Sequence, residues 1–178
     1  MEKIETGIEG CFELRPRIFK DDRGGLVKTF HYDTFKSIGL ETDFREEYYS
    51  YSKKGVLRGL HFQIPPDDHI KCVTCVSGKI FDVVVDLRKK SSTYKQHFSL
   101  ELRSELGNML YIPKGLAHGF YVLSEKAIFL NRTTTVYSPD RDAGIKWDSC
   151  DINWPNKEPI LSKKDIEMTN LKDFKSPF

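Results

Sequence analysis

Apolar and polar positions alternate with a period of two over much of the middle of the chain. Segment 56–63 (VLRGLHFQ) lies between Lys-Lys-Gly and Pro-Pro-Asp-Asp, and both of these groups favour turns. Period-two alternation bounded by turn residues predicts a β-strand. Segment 80–87 (IFDVVVDL) is apolar on nearly both of its faces. A strand of that kind is typical of the inside of a sandwich or barrel.

Further segments of the same kind follow along the chain and are separated by short turns that contain Gly, Pro, Ser or Lys. The predicted strands are 71–76, 98–102, 108–112, 119–123 and 127–137. Many short strands at regular spacing, without strand–helix–strand alternation, predict an all-β antiparallel sandwich or barrel.

Two segments, 31–38 and 162–170, have short helical patterns and are expected at the periphery of the fold. Ser162 is a candidate N-cap, and Asp165 follows three residues later as in a capping box. The last segment, 172–178, is expected to be a loosely held end.

Length and composition limit the classes of protein that fit. A chain of 178 residues predicts a single domain, 1–178, whose core needs no disulfide or structural metal. Lys and Arg number 28 against 26 Asp and Glu, and the two signs are interleaved, which does not fit a nucleic-acid binder. No apolar run approaches the roughly 20 residues of a membrane span, and no signal-peptide core is present. We therefore expect a cytoplasmic protein without membrane or nucleic-acid partners.

The four cysteines are expected to be reduced thiols, because disulfides are rare in the cytosol. Cys72 and Cys75 form a CxxC pair, but residues three apart on a strand point to opposite faces. No second pair completes a zinc-binding set. We interpret both as core residues.

His61 is the strongest candidate for a general base. It lies in the middle of a predicted strand, on the face expected for Leu57, Gly59 and Gln63. A titratable ring in that place is costly to bury unless it is hydrogen-bonded or used in chemistry.

Two other residues have two open interpretations each. Lys71 begins the next strand and can project either into the same concavity or out to solvent. His118 lies among tight turns in IPKGLAHGF, where it either faces a pocket or hydrogen-bonds the turn.

Several motifs occur in one order between about Phe19 and Asp165. They are VLRGLHFQ, Lys71, FDVVVDLRKKSSTY, YIPKGLAHGF, YSP before Gly144, and INWP before LSKKD. In this order they resemble the dTDP-4-keto-6-deoxyglucose 3,5-epimerase family of the rhamnose pathway. The resemblance implies a cupin-type β jelly roll that forms a homodimer and needs no cofactor or metal. It also implies a nucleoside-diphosphate 4-keto-6-deoxy sugar as substrate, in surface-carbohydrate biosynthesis.

The resemblance also implies catalytic roles for three residues. His61 corresponds to the base that removes a proton next to the ketone, and Asp165 to the carboxylate that orients it. Lys71 corresponds to the cation near the sugar carbonyl, where it stabilises the developing oxyanion. For Asp165 the interpretation as a helix cap stays open.

Other residues correspond to substrate contacts. Arg58 and His118 match residues that line the pocket and contact the sugar or diphosphate. Arg23 in DDRG resembles the arginine that binds the nucleotide diphosphate, although a plain turn residue is the alternative. The remaining expected substrate-binding residues are Phe19, Glu46, Tyr48, Gln63 and Asp142.

The strand that holds the family's general acid departs from the pattern. The family has FLYK, with tyrosine as the acid, whereas this chain has FLNR with Asn131 in that place. An amide cannot donate a proton as a phenol does, although it can hydrogen-bond the substrate. Tyr137 has the same strand parity and is the other candidate at this end of the site. Inversion at carbon 3 alone is therefore as plausible as inversion at carbons 3 and 5.

Two further departures concern the substrate. Glu46, Glu47 and Tyr48 stand where the family typically has a Gln-Asp-Asn segment, and Lys28 stands where a glutamate near the nucleotide base is usual. These changes leave dTDP and GDP open as the nucleotide, and hexose and heptose as the sugar.

Three alternatives remain open. A 3,4-ketoisomerase uses the same enolate chemistry and differs in its product. A metal-dependent cupin commonly has two histidines separated by one residue, but here the nearest pair is His61 and His69. A non-catalytic sugar-nucleotide-binding module fits the loss of the acid, but it gives no reason to keep the base, its carboxylate and the cation together.

Overall fold

A computed structural model describes all residues from 1 to 178. In chain order the elements are β1 (Glu2–Glu5), β2 (Phe12–Arg15), β3 (Ile18–Asp21), β4 (Gly24–Val27), α1 (Tyr32–Ser37), β5 (Glu46–Lys53), β6 (Leu57–Gln63), β7 (Lys71–Ser77), β8 (Lys79–Asp86), β9 (His97–Arg103), β10 (Met109–Ile112), β11 (Leu116–Val122), β12 (Lys126–Thr133), β13 (Asp142–Gly144) and α2 (Lys163–Ile166).

The strands form two main sheets and one separate hairpin. The six-stranded sheet has the order β1-β2-β10-β7-β12-β5, and the five-stranded sheet has the order β13-β6-β11-β8-β9. Strands β3 and β4 pair only with each other. Every strand pairing is antiparallel. The prediction of an all-β jelly roll with short peripheral helices is confirmed.

The largest apolar cluster lies between the two sheets. It has 14 buried residues, contributed mainly by β7, β10 and β12 on one side and by β8 and β11 on the other. Burying each large aliphatic or aromatic side chain stabilises the fold by roughly 1.5–3 kcal/mol. The cluster fills only part of the space between the sheets. The rest of that space is lined by polar side chains, as described below.

The cysteines have the predicted environment. All four are free thiols, and Cys72 and Cys75 are both buried. Cys75 packs between the sheets, whereas Cys72 packs in a separate cluster with Phe35 of α1. The two side chains therefore point to opposite faces of β7, and the interpretation of both as core residues is confirmed.

The C-terminal segment is not a loose end, and that prediction is wrong. The rings of Phe174 and Phe178 pack on Phe62, with ring centroids 5.2 and 5.9 Å apart. Ser176 is buried, and its hydroxyl donates to the carbonyl of Leu87. The five-stranded sheet is apolar on both faces, so its outer face also needs cover, and the terminal segment provides it.

The predicted strands agree with the observed ones to within three residues at each end, with one exception. Segment 127–137 is shorter than expected, since β12 ends at Thr133. Strands β1 to β5 and β13 were not predicted. The helices are also shorter than predicted, although Ser162 is the expected N-cap of α2. No helix is both long and apolar enough to cross a membrane.

Strand β6 contains a β-bulge next to its partner β11. His61 lies opposite His118 and Arg58 lies opposite Phe120, so an interval of three residues on β6 matches an interval of two on β11. One extra residue in a strand reverses the alternation of faces beyond it. Arg58 and His61 therefore line the same cavity. The expectation that Leu57 shares the face of His61 is wrong, because Leu57 packs in another cluster.

The bulge depends on two glycines that face each other. Gly59 has φ +143°, a conformation that other residues rarely adopt. A Cβ atom on Gly59 would lie 2.5 Å from the Cα of Gly119 and 3.2 Å from the carbonyl oxygen of His118. No side chain fits between the two strands at this point, so the close approach of β6 and β11 requires glycine.

We expect Gly59→Ala to destabilise the protein more than an alanine substitution at a glycine that has a positive φ but free space around it. Gly24 is the matched control, because its φ is +128° and a Cβ atom at that position would have no other atom within 4 Å. The added overpacking should make the loss in Gly59→Ala larger by roughly 1–3 kcal/mol. Urea unfolding of both variants measures this difference. Equal losses would contradict the role given to the glycine contact.

Candidate active site

The polar part of the space between the sheets forms an open cavity. It consists of two adjoining hollows of about 160 and 190 Å³, and both are lined by Tyr48, His61 and Lys71. The first hollow is also lined by Glu46, Phe62, Gln63, His69, Thr133, Tyr137, Asp142 and Lys164. The second is also lined by Ser50, Arg58, His118, Phe120, Phe129 and Asn131.

His61 and Asp165 are in direct contact. The Nε2 atom of His61 lies 2.6 Å from Oδ1 of Asp165, although the two residues are 104 positions apart in the chain. An ionised carboxylate can only accept a hydrogen bond, so the contact places a proton on Nε2. The other ring nitrogen is then free to take a proton.

Helix α2 fixes the position of the Asp165 carboxylate. Asp165 is buried, its backbone N–H donates to the hydroxyl of Ser162, and that hydroxyl donates to Oδ2. Burial raises the pKa of Asp165, but the hydrogen bonds from His61 and Ser162 outweigh it and hold the pKa below its ordinary value. Asp165 therefore fits both interpretations, as a residue of the capped first turn of α2 and as the carboxylate partner of His61.

Lys71 is a buried cation beside His61. Only 7% of its surface is exposed, and its Nζ donates to the backbone carbonyl of His61 at 3.2 Å. No carboxylate lies within salt-bridge distance of Nζ. Burial therefore lowers the pKa of Lys71 to about 8, although Asp82 and Asp142 act in the opposite direction. The ammonium does not point to solvent, which was the alternative.

His118 and Asp82 form a second buried pair. His118 lies on β11 rather than in a turn, and its Nε2 is 3.0 Å from both oxygens of Asp82. Burial lowers the pKa of His118 and raises the pKa of Asp82. Sequence reasoning missed Asp82. The available signal was a carboxylate between Phe81 and Val83 on a largely apolar strand, which is costly to bury without a partner.

Arg58 and Gln63 lie at the two ends of β6 and both line the cavity. The Nε of Arg58 donates to the hydroxyl of Ser52 at 3.1 Å. The amide of Gln63 donates to the carbonyl of Asp67 and accepts from the N–H of Ser138. Gln63 thus joins two loops at the rim of the cavity.

Three predicted residues form a hydrogen-bonded rim. The hydroxyl of Tyr137 donates to Asp142 at 3.0 Å, and its N–H donates to Glu46 at 2.7 Å. Asp142 also pairs with Lys164. Tyr137 lies beyond the end of β12, so it reaches the cavity from a loop and not through the strand parity expected from the sequence.

Tyr48 and Asn131 face each other on neighbouring strands. They are direct partners in the pairing of β5 with β12, and Nδ2 of Asn131 donates to the hydroxyl oxygen of Tyr48 at 2.6 Å. Asn131 is 2% exposed, and its Oδ1 has no hydrogen-bond partner.

Phe19 and Arg23 do not line the cavity. Both lie on the β3–β4 hairpin and line a separate hollow of about 380 Å³, and Phe19 also lines one of about 290 Å³ together with Lys28. Arg23 is exposed, and its only side-chain partner is Asp21. Within one chain the structure separates these residues from His61.

His69 is a cavity residue that sequence reasoning considered only as a metal ligand. Its Nδ1 lies 3.0 Å from the hydroxyl of Thr135, and its buried Nε2 has no partner. Burial and the charges of Lys71 and Lys114 lower the pKa of His69 to about 3, so the ring is neutral. No three His, Cys, Asp or Glu side chains are placed to hold a metal ion.

Comparison with known proteins relates the chain to one family. Residues 5–173 match the family model described as dTDP-4-dehydrorhamnose 3,5-epimerase. The protein of that name from Shigella flexneri is 41% identical over 169 residues, which is 93% of each chain. A dTDP-4-dehydrorhamnose 3-epimerase from Streptomyces niveus is 36% identical over 162 residues, which is 89% of this chain and 78% of the relative.

The fold also matches a solved structure closely. The 3,5-epimerase from Bacillus anthracis, solved with TDP and pyrophosphate bound, has a TM-score of 0.93 and 38% identity, and the match covers 96% of this chain and 99% of that one. The resemblance found in the motifs is thus confirmed over nearly the whole length. The chain belongs to the dTDP-4-dehydrorhamnose 3,5-epimerase family of isomerases.

Proposed function

We propose that this protein epimerises a nucleoside-diphosphate 4-keto-6-deoxy sugar, at carbon 3 alone or at carbons 3 and 5, with His61 as the base. The observation that carries the proposal is the 2.6 Å contact between His61 and the buried Asp165, inside a cavity that also contains a buried lysine. The family relationship supports the substrate class, since the relatives are named as epimerases of dTDP sugars.

His61, Asp165 and Lys71 each have a separate role in the first step. A ketone at carbon 4 acidifies the hydrogens on carbons 3 and 5. The free ring nitrogen of His61 takes one of these protons, and Asp165 stabilises the imidazolium that results. The electron pair moves to the ketone oxygen, where the ammonium of Lys71 stabilises the negative charge of the enolate. Return of a proton to the opposite face of the carbon inverts it.

The nucleotide and the sugar are tested by varying the substrate. We expect activity on the dTDP sugar, because the named substrates of the relatives carry dTDP. The GDP sugar should be included because Lys28, the residue after β4, stands where a glutamate near the nucleotide base is usual in the family. Heptose forms of both should be included with the hexoses. Phe19 and Arg23 on the hairpin are the proposed nucleotide contacts. Arg58 and His118 in the cavity are the proposed sugar or diphosphate contacts.

The first experiment follows deuterium incorporation by proton NMR in deuterated water. The wild-type protein should incorporate deuterium at carbon 3, and a signal at carbon 5 would report a second inversion. His61→Asn should reduce incorporation by about 10²- to 10⁴-fold, since it removes the base and keeps a polar side chain of similar reach.

His97→Asn is the matched control for this experiment. His97 is exposed at the start of β9, outside the cavity, so the variant should exchange at the wild-type rate. Exchange at the wild-type rate in His61→Asn would exclude His61 as the base. Absence of exchange in the wild type, with nucleotide binding intact, would favour a non-catalytic module.

The pH dependence should report the charge of Lys71. Its pKa is about 8, so the amine is charged below that pH and loses its proton as the pH rises through it. A neutral amine cannot stabilise the enolate oxygen as a cation does. We therefore expect the exchange rate to fall about tenfold for each pH unit above about 8. An arginine stays charged in this range, so Lys71→Arg should lose this alkaline limb. The same limb in Lys71→Arg would contradict the assignment to Lys71.

We also propose that the chain forms a homodimer. Strand β5 is an edge strand of eight residues whose outer face carries Tyr49 and Tyr51, which are 67% and 79% exposed. A long edge strand with exposed aromatic residues is typical of a surface that pairs with another chain. The β3–β4 hairpin lies outside the cavity of its own chain. A second chain would offer a surface that this hairpin can contact.

Light scattering after size-exclusion chromatography tests the assembly. The molar mass should be twice the 20.7 kDa of the chain. Tyr51→Lys should shift the mass toward one chain, because it places a charge on the exposed edge face. Tyr32→Lys changes an exposed tyrosine on α1 and should leave the mass unchanged. A monomeric wild-type protein would refute the dimer.

A further inference from the structure

Tyr48 places a phenol next to the position where the family's acid is missing. Asn131 stands on β12 where the family pattern has tyrosine, and Tyr48 stands on β5 where that pattern has the asparagine of its Gln-Asp-Asn segment. The two residues are direct cross-strand partners, and their side chains meet at 2.6 Å. Relative to the family pattern, the chain has exchanged a tyrosine and an asparagine across one strand pair.

The register of the sheet places this pair beside the other catalytic groups. In the row formed by β5, β12 and β7, Tyr48 lies opposite Asn131, and Asn131 lies opposite Val73. The next row on this face contains Glu46, Thr133 and Lys71. Tyr48 and Lys71 therefore lie in adjacent parts of one sheet face, and both line the two hollows that contain His61.

We propose that Tyr48 is the general acid of this enzyme and that Asn131 is a positioning residue for its phenol. This inference rests on the proposed epimerase function. It implies that the phenol at this end of the cavity comes from β5, whereas in the family pattern it comes from the position of Asn131 on β12.

The proposed step conserves protons and electrons. His61 removes the proton of the carbon–hydrogen bond, and that electron pair forms the enolate. The enolate carbon then forms a new bond to the hydroxyl proton of Tyr48 on the opposite face. The electron pair of the broken O–H bond stays on the oxygen as a phenolate. Transfer of the proton of the His61 imidazolium to this phenolate through solvent restores both residues.

The hydrogen bond from Asn131 suits this role. Its Nδ2 donates to the hydroxyl oxygen, so the hydroxyl proton of Tyr48 stays available for the substrate and the phenolate gains a donor. Although 45% of the surface of Tyr48 is exposed, burial around its hydroxyl raises the pKa, so the phenol is protonated at neutral pH. The unpartnered Oδ1 of Asn131 is a buried acceptor that a sugar hydroxyl can complete.

The variant Tyr48→Phe tests the role of the acid separately from the role of the base. It removes the hydroxyl and keeps the ring, so His61 can still remove a proton and return a deuteron to the same face. We expect the rate of inverted product to fall by about 10²- to 10⁴-fold, while deuterium incorporation with retention continues. Proton NMR of one reaction measures both quantities. Tyr32→Phe is the control, since this exposed tyrosine on α1 lies outside the cavity and should change neither.

The reciprocal exchange gives a rescue experiment. Tyr48→Asn alone should lose inversion, and the double variant Tyr48→Asn with Asn131→Tyr should recover at least about tenfold, because it restores the arrangement of the family pattern. Asn131→Leu removes the amide at similar size and should lower inversion more than exchange. A merely structural role would lower both together.

Each outcome decides the inference. Inversion at the wild-type rate in Tyr48→Phe would overturn it, and so would an equal loss of exchange and inversion in that variant with nucleotide affinity intact. In either case, deuterium exchange by the wild-type protein would still support the proposed function. Absence of exchange in the wild type with every sugar nucleotide would overturn the proposed function as well. Selective loss of inversion, with rescue by the double variant, supports the inference.

Discussion

The contact between Gly59 and Gly119 is the constraint on which the site depends. It lets β6 and β11 approach closely enough to hold a bulge, and the bulge adds one residue to β6. A regular strand would place Arg58 and His61, three residues apart, on opposite faces. The extra residue places both in one cavity. The orientation of the proposed base toward Asp165 is thus set by a backbone irregularity that needs two residues without side chains.

The second constraint is electrostatic. His61 and His118 each have a carboxylate partner, but buried Lys71 has only a backbone carbonyl. A buried cation without an ion-pair partner is costly, and burial lowers the pKa of Lys71 even though Asp82 and Asp142 act in the opposite direction. In the proposed mechanism, a bound substrate that develops negative charge on its ketone oxygen would supply the missing partner. The site would then interact more strongly with the enolate than with the neutral ketone, which is the requirement for catalysis.

The sequence predicted the parts of the fold that have regular alternation. Strands β6 to β12 were located because their apolar periodicity is strong, whereas β5 was missed because EEYYSYSK contains only polar residues and tyrosines and lacks an aliphatic face. Periodicity cannot detect a bulge, so the face of Leu57 was wrong. Tyr137 was placed by strand parity, although β12 ends four residues earlier. The contact of His61 with Asp165 joins residues 104 positions apart and came from the family resemblance, because no local pattern specifies it.

The pair Tyr48 and Asn131 shows why a departure from a motif is incomplete evidence when one strand is considered alone. Neighbouring antiparallel strands place directly opposed side chains about 4.5–5.5 Å apart at Cβ, so a long side chain from either strand can bring its end group to the same place. Considered alone, Asn131 indicates a lost acid and a weakened enzyme. Considered with its cross-strand partner, it is a hydrogen-bond donor to a phenol that lines the same cavity as His61 and Lys71. The proposed acid step depends on where the hydroxyl lies in the cavity, and either of two neighbouring strands of this sheet can place it there.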